Sequence, residues 1–279
     1  MTRSLSDMLL PLHGYRVPVS SSASVQAKAH YLSQEFERAY TYVTNLLAVV
    51  LDVRLAFLSE HDWSSLTQSP YYGAVLYDYP NHTIVAGAEP TSFWQPLVAH
   101  LESAAPDLFA QLQQVYQNDK GTIDLSPNIE LWIIHDLGHA CHLHHHYWFP
   151  RKWLMELFAN LCLYSYFVEQ APEHSTCALT FFSVLSALPR SLITYQTLAD
   201  FERQYVALPL NDYLWFSGQL MQLAHNLHQQ FGQFSLVRLW DIFVLGNIQE
   251  VSNPSLWQQV SSKDAALATM LRTFEQQFD

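Results

Sequence analysis

The chain has 279 residues, 49% hydrophobic and 14% charged, which suits a well-buried folded protein and excludes a disordered one. Thirteen basic against 25 acidic side chains give a formal charge of −12. That balance argues against nucleic acid, an anionic membrane or a polyphosphate substrate as partner, because each is bound largely by neutralising phosphate.

The N-terminal apolar run is too short for a signal peptide, and VPVSSSASVQ after it is a Ser-rich entry segment. Apolar residues at helical spacing predict a helix through AKAHYLSQEFERAYTYVTNLL. DVRLAFLS turns β-like, with Val53, Leu55 and Phe57 alternating with polar or small neighbours. YYGAVLYDY and TIVAGAE flank the turn-forming PNH and read as a hairpin or two adjacent strands. TSFWQPLVAHLESAA and PDLFAQLQQVYQ read as helices.

After NDKGTIDLSP the chain is helical almost to its end, punctuated by Pro150, Pro172, Pro189, Pro209 and Gly232. The longest uncharged apolar stretch, CALTFFSVLSAL, is too short to span a bilayer, so a soluble, cytoplasmic protein is expected. Cys141, Cys162 and Cys177 form no CxxC pair and read as thiols without a disulfide scaffold. The layout is α+β: a single unit with a mixed α/β lobe over 1–125 and a helical lobe over 126–279.

Chemistry concentrates in LWIIHDLGHACHLHHH, residues 131–146. A zinc hydrolase, a phosphohydrolase, or a helix that merely carries histidines could own it. Ser126 and Pro127 suit the N-cap and first turn of this helix. His135 and His139 stand at i and i+4, so their imidazoles leave one face and can share one zinc ion at about 2.0–2.1 Å. A catalytic zinc needs a third protein ligand and an open position. Glu156, in WLMELFANLCLYSYF, is the candidate: the break at FPRK lets a second helix return antiparallel to the first. A carboxylate between Met155 and Leu157 in so apolar a helix needs a partner. Asn160, one turn later, is placed to bond a ligand histidine from behind.

With HDLGH followed by ELFAN, the chain resembles the gluzincins, the thermolysin-like zinc hydrolases. Their HExxH helix precedes a helix with a glutamate ligand in an ExxxD or ExxxN context. The likeness covers residues 40–250 in layout and is specific over 135–160. It implies a zincin-like fold with a small N-terminal sheet and a Zn²⁺ held by His135, His139 and Glu156. It also implies hydrolysis of a peptide or related small amide substrate. The family's general base is a glutamate; here Asp136 stands in that place, one methylene shorter. The oxyanion donor implied by the resemblance is Tyr213 in NDYLWFSGQLMQLAHNL, with His225 as second choice.

Two rival readings stay open. IIHDLGHA also looks like the element of HD-domain phosphohydrolases, with His135 and Asp136 both ligands, His100 upstream, and Asp200, Asp212 or Asp241 downstream. The scarcity of basic residues for phosphate and the strand-like first half count against it. Asp136-x-x-His139 also fits half of a helical di-iron site, for which no second pair appears. The other rival is a zincin-fold binding protein without turnover. His142, His144, His145 and His146 read as helix-end and loop histidines.

Overall fold

β-Branched and aromatic residues favour extended backbone when one or both faces can be buried, and RLAFL meets that condition. In the computed structural model, which describes residues 9–67, 69, 72, 73, 75–89, 94–248 and 252–278 (backbone alone at 128–130), Arg54–Leu58 forms the central strand of a five-stranded sheet. The strands are β1 (Leu10–Leu12), β2 (Val19–Ser21), β3 (Arg54–Leu58), β4 (Leu76–Asp78) and β5 (Thr83–Gly87), in the spatial order β1-β2-β3-β5-β4. β3 runs parallel to β2 and β5, with Leu55 opposite Ile84 and Phe57 opposite Ala86. β1 and β4 are antiparallel edge strands.

Side chains alternate across the sheet as the pleat requires. Leu55, Phe57, Ile84 and Ala86 enter the main core, while Ala56, Leu58 and Val85 join a smaller cluster with Trp63 and Tyr72 on the other face. The expected hairpin at PNH is β4 and β5, joined by a tight turn in which His82 takes left-handed backbone (φ 50°). One reading is corrected. Part of the Ser-rich entry segment is strand β2, where buried Ser21 replaces the apolar residue that would have marked alternation.

The helices are α1 (Gln26–Leu47), α2 (Glu60–Leu66), α3 (Gln95–Ala104), α4 (Pro106–Tyr116), α5 (Ser126–His144), α6 (Lys152–Gln170), α7 (Pro172–Ser186), α8 (Leu198–Gln204), α9 (Leu210–Phe231), α10 (Phe234–Leu239), α11 (Asn253–Lys263) and α12 (Ala265–Gln276). α1 offers the core Ala29, Leu32, Phe36, Ala39 and Val43, one face at helical spacing. α6 is buried without interruption from Glu156 to Phe167, as befits a helix enclosed on all sides. It packs on α5, α9, α1 and α7, and α5 in turn packs on β4 and β5.

The start of α5 differs from expectation in one detail. Ser126 is the first helical residue and not the cap; its N–H is received by the Asp124 carboxylate at 2.9 Å. Trp240–Leu245 prolongs α10 as a π-helical turn, with the Gly246 N–H donating to the Asp241 carbonyl at 2.8 Å. Cys141 and Cys162 are buried free thiols and Cys177 is half-buried. Among the described residues no helix is long and apolar enough to cross a membrane.

The joint between α5 and α6 is set by Gly138. A Cβ there would lie 2.7 Å from the Ala159 Cα, so the two backbones touch. Gly138→Ala gains about 1 kcal/mol in helix propensity against an overpacking cost of about 2–3 kcal/mol, the upper part of the usual range because the clash is with backbone, and should lower stability by about 1–2 kcal/mol in urea unfolding. An unchanged or raised midpoint would mean that the helices can separate without loss.

Candidate metal centre

The helical spacing of His135 and His139 sets their rings edge to face with centroids 4.8 Å apart and brings their Nε2 atoms to 3.1 Å. Gly138 lies between them, so the face that carries both rings is pressed against the start of α6. There the Glu156 Oε2 stands 3.3 Å from the His135 Nε2 and its Oε1 3.4 Å from the His139 Nε2. Glu156 is 2% exposed. Among the described residues, these three form the one group of His, Cys, Asp and Glu donors that could hold a metal ion.

The outer nitrogens fix the tautomers. The His142 Nδ1 faces the Tyr147 carbonyl at 2.8 Å, and a carbonyl can only accept, so that nitrogen carries the proton. The His142 Nε2 then accepts from the His139 Nδ1–H at 3.3 Å. On the other histidine, the His135 Nδ1–H donates to the Asn160 Oδ1 at 3.0 Å. Both inner Nε2 atoms are thereby left as bare lone pairs, facing each other and a carboxylate.

Such a convergence repels itself unless a cation lies within it. Donors around a tetrahedral ion with bonds of about 2.0–2.1 Å stand about 3.3–3.4 Å apart, close to the separations here. The donor set therefore fits a divalent ion. Neither protein-family models nor curated proteins match the chain.

Two tyrosine hydroxyls close over the carboxylate. Tyr213, near the start of α9, donates to the Glu156 Oε2 at 3.0 Å, and Tyr205, on the tight turn after α8, donates to the Oε1. Trp132 lines the same wall, its ring centroid 6.3 Å from those of His135 and Tyr213. Asp136 is buried beside them, and its Oδ2 has no hydrogen-bond partner.

Burial raises the Asp136 pKa above its ordinary value, and the neighbouring His139 and His135 only partly offset this. For Glu156 burial also pushes upward, but His139 and His135 outweigh it and hold the carboxyl well below its usual range. Burial alone would depress His139; Glu156 and then Asp136 reverse this and raise it. Burial, Glu156 and Asp136 push Tyr213 well up, so its hydroxyl stays a donor.

The structure thus brings together His135, His139, Glu156, Asp136, Asn160 and Tyr213. It does not bring His225, which lies twelve residues beyond Tyr213, about 18 Å along α9, and bonds the Tyr164 hydroxyl at 2.7 Å. The acidic residues that an HD-type site would need are committed elsewhere. Asp200 accepts from the Thr197 hydroxyl at the start of α8 and pairs with Arg203. Asp212 accepts the backbone N–H groups of Thr194 and Tyr195 at 3.1 and 2.8 Å. Asp241 is exposed in the π-helical turn, and His100 is on α3, outside the His135–His139–Glu156 group.

Sequence reading missed Tyr205 and the part played by His142. The i,i+3 spacing from His139 was the signal for His142, masked by the histidines that follow. His145 and His146 lie exposed beyond the end of α5, whereas His142 is fully buried within it. Burial holds its pKa down, to about 3, so it stays neutral.

In metal-free protein a proton takes the cation's part. Because the His139 pKa is raised by folding, the stability it contributes is complete below about pH 6.5 and is lost as pH rises through its own higher value. Urea midpoints of metal-stripped protein should fall as pH rises above about 6.5, and a saturating divalent metal should abolish the fall. Midpoints flat over that range without metal would show that no proton is held between His139 and Glu156.

Proposed function

We propose that the protein is a zinc-dependent hydrolase of the zincin type, acting on a peptide or related amide bond through an activated water. The observation that carries the reading is the convergence of two bare imidazole nitrogens and one carboxylate at 3.1–3.4 Å, beside a buried carboxylate with a partnerless oxygen. The small sheet ahead of the metal-site helix, and the return of a Glu-bearing helix behind it, support the resemblance to gluzincins.

His135, His139 and Glu156 hold the ion, and Asn160 and His142 orient the two imidazoles. When bound, Zn²⁺ supplies a Lewis acid and brings the pKa of water down to about 7. Asp136 accepts the proton of the attacking water and returns it to the leaving amine. Burial favours the neutral form of Asp136, which helps it take up that proton. Tyr213 turns its hydroxyl from Glu156 to the oxygen on which negative charge develops.

The test begins with metal content. Purified protein should hold one equivalent of zinc, and His135→Ala, His139→Ala and Glu156→Ala should each weaken binding sharply. Asp136→Asn should keep the metal and abolish hydrolysis of peptide libraries. Tyr213→Phe should lower kcat by about 10²–10³ with little change in KM. Loss of metal in Asp136→Ala with retention in Glu156→Ala would replace this assignment with the HD type. Zinc binding with no turnover by wild type or by Asp136→Glu would make the protein a zincin-fold binding protein.

A further inference from the structure

His142 has a fully buried ring, boxed by Phe149 and Phe158 with centroids 5.3 and 6.4 Å away. An imidazole in such a box loses hydration that only hydrogen bonds can replace. Both of its nitrogens find them: one meets the ligand His139 at 3.3 Å, the other the Tyr147 carbonyl at 2.8 Å. A side chain kept for packing alone would need neither.

The carbonyl is aimed by the way α5 ends. His146 takes left-handed backbone (φ 53°), its N–H donates to the Leu143 carbonyl at 2.9 Å, and the Tyr147 N–H donates to the His142 carbonyl at 2.9 Å. This double bond pattern is a Schellman cap. It folds Tyr147 back over the last turn, so His142 and Tyr147 are joined twice, backbone to backbone and ring to carbonyl. Tyr147 is pinned in turn: its hydroxyl donates to the Ile248 carbonyl at 2.6 Å, and its ring meets Phe149 at 5.2 Å.

We propose that His142 is a positioning residue for the metal, relaying the rigid cap of α5 to His139 and holding that ligand in the tautomer whose Nε2 faces the ion. The inference rests on the metal reading above and assigns to His142 the orienting task that Asn160 performs for His135. It makes the C-terminal cap of α5 part of the metal site, although no cap residue touches the ion.

The experiment measures Zn²⁺ affinity by chelator competition in wild type, His142→Phe and His142→Gln, with the imidazole ¹⁵N spectrum of wild type recorded with and without zinc. His142→Phe keeps a ring in the box but loses both nitrogens, and should weaken zinc by about 10–100-fold. His142→Gln, which can accept from His139 and donate to Tyr147, should recover part of the loss. The spectrum should show His142 protonated at Nδ1 and bare at Nε2 in both states. A folded His142→Phe that binds zinc within about threefold of wild type, well short of that loss, overturns the inference alone, as does a His142 protonated at Nε2. Wild type that binds no divalent ion defeats the metal reading and this inference together. Should His142→Phe fail to fold, the Gln variant and the wild-type spectrum still decide.

Discussion

Helices α5 and α6 touch backbone to backbone at Gly138 and Ala159, and the site's distances follow from that contact. Gly138 stands between the two histidines of one helix, and Ala159 stands next to Asn160 and one turn from Glu156 on the other. At an ordinary helix separation of about 8–10 Å set by side chains, imidazole and carboxylate would meet with less overlap. The missing Cβ is what lets three donors share a space of atomic size. The rest of the fold serves this joint: the sheet supports α5 from one side, and α1, α7 and α9 enclose α6.

The joint is also where the protein is electrostatically least content. Glu156 and Asp136 are both buried, and the neighbours that shift them are the two histidines and, for Asp136, Glu156, with neither Lys nor Arg among them. Lys152 spends its ammonium on the Glu202 carbonyl and on the Tyr205 ring. Buried carboxylates of this kind are costly unless paired. The tyrosine hydroxyls lower that cost without adding charge, and a divalent cation would neutralise both carboxylates at once. The arrangement is thus a poor device for stability and a good one for holding a cation.

Much of the site was legible in the sequence because helices translate spacing into direction. HDLGH and ELFAN, with a break between them, sufficed to face His135, His139, Glu156 and Asn160 toward one another. Tyr213 was legible for a weaker reason, its place near the start of a late helix. Tyr205 was not, since it arrives on a short turn between helices, where no periodicity says which way a side chain points. His142 was read with its neighbours as a helix-end residue because a Schellman cap without glycine gives no sign of itself. The same holds for β2, whose buried serine breaks the alternation, and for Ser126, which is the first helical residue and gives its N–H to Asp124.

The outer partners carry the argument one step further. His135 leans on an amide and His139 on a neutral imidazole, so neither ligand is backed by a carboxylate. The Asn160 amide nitrogen is buried without a hydrogen-bond partner. An aspartate would be of the same size and would leave no donor stranded, yet it would put a third carboxylate beside Glu156 and Asp136. Neutral partners draw less electron density onto the ligand nitrogens than a carboxylate does, so an ion held here keeps more of its own charge. In the proposed hydrolase that surplus would act on the same water from which Asp136 takes a proton. On the proposed reading, a less neutralised ion would offset the shorter reach of a buried aspartate base.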